Sequence, residues 1–205
     1  MASVPLTMDN THTSPFARFD PQKLAHYETV NWVAYYQKKW LTLLRASIGM
    51  VQEAFSLSLP RAMYVAYLVA RAEMAAAPFP ENDIPTAEAY MRRVYHYIKD
   101  VHKLDYDVAE AAKREVKWWI VHRELFNSAD KQPLVEALYE LNILYGAEPQ
   151  GARQAAEHRT QAMVYSDEWI KQGKLSGSPL IAQEEAELEK CYTALKRAIN
   201  MARAA

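Results

Sequence analysis

None of the ten prolines in this 205-residue chain falls inside a helical pattern of apolar residues. Proline lacks an N–H and its ring collides with the preceding turn, so its placement marks where helix interiors cannot be. Pro21, Pro60, Pro78, Pro80, Pro85, Pro133, Pro149 and Pro179 stand at the edges of periodic runs, and Pro5 and Pro15 lie near the N-terminus. Of the five glycines, Gly146, Gly151, Gly173 and Gly177 also sit at breaks, and only Gly49 is inside a run. Between these edges apolar residues recur every three or four positions, and strand-like alternation is missing. The chain reads as all-α.

Residues 1–20, rich in Thr, Ser and Pro, read as a flexible N-terminal tail, and 21–205 as a single all-α domain. The expected fold is a helical bundle of about seven helices with a long central first helix. That helix opens at Asp20-Pro21, an N-cap followed by proline at the first helical position, and is expected to run to Phe55. Its stripe is Val30, Val33, Trp40, Leu44, Ile48, Val51 and Phe55, while Trp32, Tyr35, Tyr36, Leu41, Leu43 and Met50 make the other faces apolar too. A helix apolar nearly all round is central, or buries its second side against another subunit. Further helices are expected over 60–77, 85–103, 107–125, 133–145, 152–172 and from 179 onward. The run Glu184, Glu185, Glu187 and Glu189 reads mostly as a solvated face.

Charge and cysteine usage narrow the function classes. A net charge of −1 gives no overall pull toward nucleic acid or an anionic membrane. The longest uncharged apolar stretch, Ala62 to Ala70, is too short to cross a bilayer, so no membrane insertion is expected. One cysteine, Cys191, and a start without a basic-then-apolar signal lead to the expectation of a cytoplasmic protein. Phosphate-binding, dinucleotide-binding and nucleophile-elbow motifs do not occur.

The stretch from Asp107 to Leu125 carries the unusual chemistry. Helical stepping puts Glu115 at the centre of the stripe made by Val108, Ala111, Ala112, Trp118, Trp119 and Leu125, with His122 beside it two turns on. A carboxylate on an apolar face needs a partner, because burying it unpaired costs several kcal/mol or neutralises it. Three partners are on offer: His122 through a shared ion or water, Arg159 on the stripe of another helix, and Arg123 at the flank of the same helix; a buried Glu–Arg pair is the leading expectation. The leading expectation is a helical binding or interaction module, a homo-oligomer, with an aromatic-lined polar cluster for a small apolar or aromatic ligand. Its ligand-binding candidates are Glu115, Trp118, Trp119, His122, Arg159 and Trp169. The rival is a metal-dependent oxidoreductase of the ferritin-like di-iron type, with a metal ion held by Glu115, His122, Glu73 and Glu157. The Glu-x-x-His pair that marks such sites is not in the chain.

Overall fold

The computed structural model describes residues 14–204. Among them are eight α-helices, one short 3-10 turn (Pro15–Ala17) and no strand. The helices are α1 (Pro21–Tyr36), α2 (Trp40–Phe55), α3 (Leu59–Ala76), α4 (Ile84–His102), α5 (Val108–Glu124), α6 (Gln132–Leu144), α7 (Pro149–Lys171) and α8 (Pro179–Ala204). Each lies against its neighbours in sequence, and α8 returns to α1, so the eight close into an up-and-down ring. Side chains fix the alternation. At one end Phe16 meets Phe55 at the end of α2, Tyr106 before α5 and Tyr145 after α6. At the other end Arg123, late in α5, donates to the backbone oxygen of Ala76 at the end of α3 (3.1 Å). No described helix is long and apolar enough to cross a membrane.

Pro15, Pro21, Pro60, Pro85, Pro133, Pro149 and Pro179 stand at helix starts, as their chemistry requires, and two aspartates cap as their positions suggest. Asp20 Oδ1 accepts from the N–H groups of Gln22 and Lys23 at 2.9 and 3.2 Å. Asp107 Oδ1 does the same for Ala109 and Glu110 at 2.8 and 3.0 Å. These bonds satisfy amides that have no partner in a first turn.

The long first helix does not form. The chain reverses over Gln37–Lys39, with Lys38 in the left-handed region at φ 57°, and α2 runs back along α1. A straight continuation would carry Trp40–Phe55 away from the body of the protein. The reversal instead buries Ala46 and Val51. It is fastened by the Gln37 amide, which donates to Ser176 Oγ (3.2 Å) and to the Lys174 oxygen (3.4 Å) across the α7–α8 loop. The count therefore rises from seven to eight, and the first helix is one stave of a ring rather than its axis.

Part of the expected tail is ordered. Residues 1–13 lie outside the described residues, but from Ser14 the chain is docked. Phe16, Ala17 and Phe19 are buried, Phe16 stacks on Tyr145 at 4.8 Å between ring centres, and Lys196 Nζ donates to the Phe19 oxygen at 2.8 Å.

Gly151, in the first turn of α7, shows how tightly α7 and α8 are joined. A Cβ there would come 2.6 Å from Ala198 Cβ and 2.6 Å from Glu148 Oε1. Gly151→Ala is expected to destabilise by roughly 1–3 kcal/mol, because the backbone of α8 must move. The check is the urea midpoint, which should fall. An unchanged midpoint would mean that the two helices part freely at this end.

Candidate functional site

The inner faces of the helices converge on a set of polar and aromatic side chains that span the ring. Glu115 projects from α5 because it follows Ala111 and Ala112 on the buried side of that helix. Its Oε2 accepts from the Tyr95 hydroxyl of α4 (2.7 Å) and the Tyr145 hydroxyl (3.2 Å), and its Oε1 from the Trp118 indole N–H (3.0 Å). The two tyrosine oxygens are themselves 2.7 Å apart. Burial first, and the Glu115 charge second, hold both phenols well above their ordinary pKa. They are fixed donors at neutral pH.

The expected Glu115–Arg159 pair is not made. Arg159, on α7, gives its charge to Glu28 of α1: Nη2 lies 2.7 Å from Glu28 Oε1, and Nη1 donates to the Tyr192 hydroxyl at 3.3 Å. Tyr192, on α8, donates in turn to Glu28 Oε2. Burial works against the guanidinium charge, but Glu28, Tyr192, Cys191 and Glu115 together outweigh it and raise the Arg159 pKa. Arg159 still reaches the Glu115 group indirectly, with its guanidinium carbon 4.8 Å from the centre of the Trp118 ring. Glu115 therefore rests on neutral donors, which the tyrosines at positions 95 and 145 supply from helices that the α5 pattern alone does not identify.

His122 belongs to a separate group nearer the other end. Its Nε2 is 3.0 Å from Asp167 Oδ1, and both side chains are buried. Lys131 Nζ stands 3.4 Å from Asp167 Oδ2 and donates to the Leu125 oxygen at 2.6 Å. The Trp32 ring lies 6.0 Å from the imidazole. Trp169 is wholly buried, donates its indole N–H to the Leu175 oxygen (2.9 Å), and meets Tyr36 edge-on. Trp119 is half-buried and edge-on to Trp118 at 6.3 Å. Of the six ligand-binding candidates, then, the structure joins Glu115, Trp118 and Arg159, sets Trp119 beside them, and gives His122 and Trp169 other partners.

The metal candidates are not gathered. Glu157 faces outward from α7. Glu73, on α3, is open to water. Crowding by the surrounding chain and then the Glu115 charge push its carboxyl upward, Arg123 pulls it down, and the water that reaches the residue damps all three effects. Among the described residues, no group of three or more His, Cys, Asp or Glu side chains is placed to hold a metal ion.

Glu184 was the residue least expected here. It is fully buried, and neither carboxyl oxygen has a hydrogen-bond partner among the described residues. The pairs His26–Glu185 and Gln22–Glu189 fix the register of α1 on α8 and place Glu184 within a turn of Thr29. On the α7 side, the charge of Asp167, the neighbour of Ser166 in sequence, acts on Glu184. The hydroxyls of Thr29 and Ser166 are likewise buried and without partners. Burial, then the charges of Glu28, Glu185 and Asp167, push the Glu184 carboxyl up to about 9. The signal was present in the spacing: Glu184 stands four residues before the buried Leu188, on the same side of the helix. Glu28 carries the same signal, four after Leu24 and three after Ala25.

Chemically, each ionised group in this interior finds its counterpart inside the chain. Glu115 accepts three bonds, Glu28 is matched by Arg159 and Tyr192, and Asp167 by His122 and Lys131. Burial pushes the Cys191 thiol up to about 12, which leaves little thiolate for nucleophilic work. These groups are cross-links between helices, and none presents a free acceptor and a free donor to a common point. No family model, curated protein or solved structure matches this chain.

Proposed function

We propose that the protein is a non-catalytic interaction module that works as a homo-oligomer through the outer face of α2 and α3. One observation carries this reading. Of the twelve large apolar side chains most open to water among the described residues, nine lie between Tyr35 and Met74. On α3, Leu59, Met63, Tyr67 and Met74 fall at four- and seven-residue spacing, which is a single stripe along the helix. Leu44 is exposed on α2, the neighbouring stave. Monomers seldom leave so many large apolar groups together in water, and such patches mark interfaces. A stable interface takes roughly 800 Å² per partner, which a two-helix face of this length can supply.

The interior supports the same reading from the other side. The ionised groups Glu28, Arg159, Asp167 and His122, with Glu115 and Trp118, are bonded to one another or to neighbouring helices and serve as parts of the scaffold. A cytoplasmic setting fits the one buried, unpaired thiol, Cys191.

Light scattering after size exclusion, at micromolar concentration, is expected to give a dimer or larger species. Met63→Ser combined with Tyr67→Ser should shift it to the monomer while the helical circular dichroism stays as it was. A monomeric wild-type chain under those conditions would refute the reading.

A further inference from the structure

We propose that the basic side of one end of the ring, made by the α1–α2 turn and the α7–α8 loop, docks on an anionic lipid surface. The two segments read Gln37-Lys-Lys-Trp-Leu41 and Lys171-Gln-Gly-Lys-Leu-Ser-Gly-Ser178. They carry Lys38, Lys39, Lys171 and Lys174 and contain no acidic residue, in a chain whose net charge is −1. The Gln37 amide ties them to each other through Ser176 Oγ and the Lys174 oxygen. Trp40, Leu41 and Leu175 project from them with 61%, 74% and 66% of their surface in water.

The loops are held ready. Gly173, Lys174 and Gly177 take left-handed φ values of 90°, 63° and 76°, which turns the chain tightly, and the Trp169 indole N–H anchors the Leu175 oxygen from below. Lys174 Nζ lies 5.6 Å from the centre of the Tyr36 ring, and Lys171 Nζ lies 5.0 Å from that of Phe126, so their stems lie along apolar surface while the residues stay exposed. The nearest acidic side chain along either segment, Glu168, is bonded to the Gln172 amide.

Three features select a lipid surface over a protein helix. Leu175 projects from a tight turn, and Trp40 and Leu41 from the first turn of α2 beside it, whereas a helix partner is taken into a groove. Tryptophan and leucine next to lysine is the chemistry that sits at the boundary between headgroups and acyl chains. Lysines near an anionic leaflet each add attraction that falls off within a Debye length, which suits a cluster at one tip of an otherwise near-neutral protein. Docking of this kind is independent of self-association through the α3 stripe, and the residues tested below lie off that stripe.

The test is sedimentation of the full-length chain with vesicles. Phosphatidylcholine vesicles containing phosphatidylserine should carry the protein down, pure phosphatidylcholine vesicles should not, and high salt should release it. A variant with Lys38→Gln, Lys39→Gln and Lys174→Gln should bind the anionic vesicles at least roughly tenfold more weakly. Leu175→Ser should also weaken binding, with the salt dependence kept. All these residues are exposed, and the helical circular dichroism is expected to match the wild type. No sedimentation with anionic vesicles, equal sedimentation with both kinds, or a lysine variant that binds like the wild type would each overturn the proposal. So would a lysine variant whose only change is loss of the oligomer seen by light scattering, since the tip would then be a protein contact.

Discussion

Arg159→Met is expected to cost roughly 3–5 kcal/mol of folding stability in urea denaturation, the loss typical of stripping a buried carboxylate of its counter-charge. Glu28 would be left with the Tyr192 hydroxyl alone, in a site where only about a tenth of its side chain meets water. Glu28→Met should also destabilise, because the Arg159 guanidinium would keep only the Tyr192 oxygen and the Trp118 face. The double change to Met at both positions should recover much of the loss, since well-packed apolar groups replace a buried ion pair at little net cost. The same cycle run between Glu115 and Arg159 should give a coupling below about 1 kcal/mol, because the two share the Trp118 ring and no bond. If Arg159→Met proves nearly neutral, or couples more strongly to Glu115 than to Glu28, the network is wrongly drawn.

Glu184→Gln is expected to act in the opposite sense and to stabilise the protein increasingly as pH rises. The folded chain holds the Glu184 carboxyl up at about 9, against 4.5 for an ordinary glutamate. Between those values the folded state binds the proton and the unfolded state does not. The contribution of this group to stability is therefore fully present below pH 4.5 and is lost as pH rises through about 9. A shift costs at most about 1.4 kcal/mol per pH unit, so by mild alkali the wild type should trail the variant by on the order of a few kcal/mol. Glutamine keeps the shape and stays neutral throughout. Urea unfolding at a series of pH values from acid to mildly alkaline checks this. Parallel stability curves for the two chains would mean that Glu184 is ionised in the fold and matched by some other charge.

Helix edges were legible because they are local. Pro21, Pro60, Pro85, Pro133, Pro149 and Pro179 cannot sit in helix interiors, and Asp20 and Asp107 cap by bonds to residues two and three along. The break at Lys38 was not legible, since neither glycine nor proline marks it. It is imposed by what α2 gains on folding back and by Gln37 reaching a loop more than a hundred residues away. The site divides in the same way. The wheel of α5 set Glu115 and Trp118 on one stripe, and the structure adds the bond from the indole N–H to the carboxylate. It had no means to choose between Arg159 and the hydroxyls of Tyr95 and Tyr145, because that choice depends on how far each neighbouring helix is turned about its own axis. Glu28 and Glu184 were readable from their apolar neighbours but were overshadowed, the one by a helix taken as too long and the other by a run of glutamates taken as one solvated face.

The closed order of the staves bears on how this chain assembles. Every helix meets its sequence neighbours, and the most extensive packing between helices far apart in the chain is the return of α8 to α1. Hairpins such as α7–α8 can form early, since little loop entropy opposes contacts between adjacent segments. The α1–α8 seam, where Lys196 reaches Phe19 and Tyr192 reaches Glu28, brings the two ends of the domain together and is the last that local zippering can supply. With its ends side by side, the ring has no privileged starting point. The same circle could be cut at another connection and spliced across that seam, and the chain would still visit its neighbours in the same cyclic order.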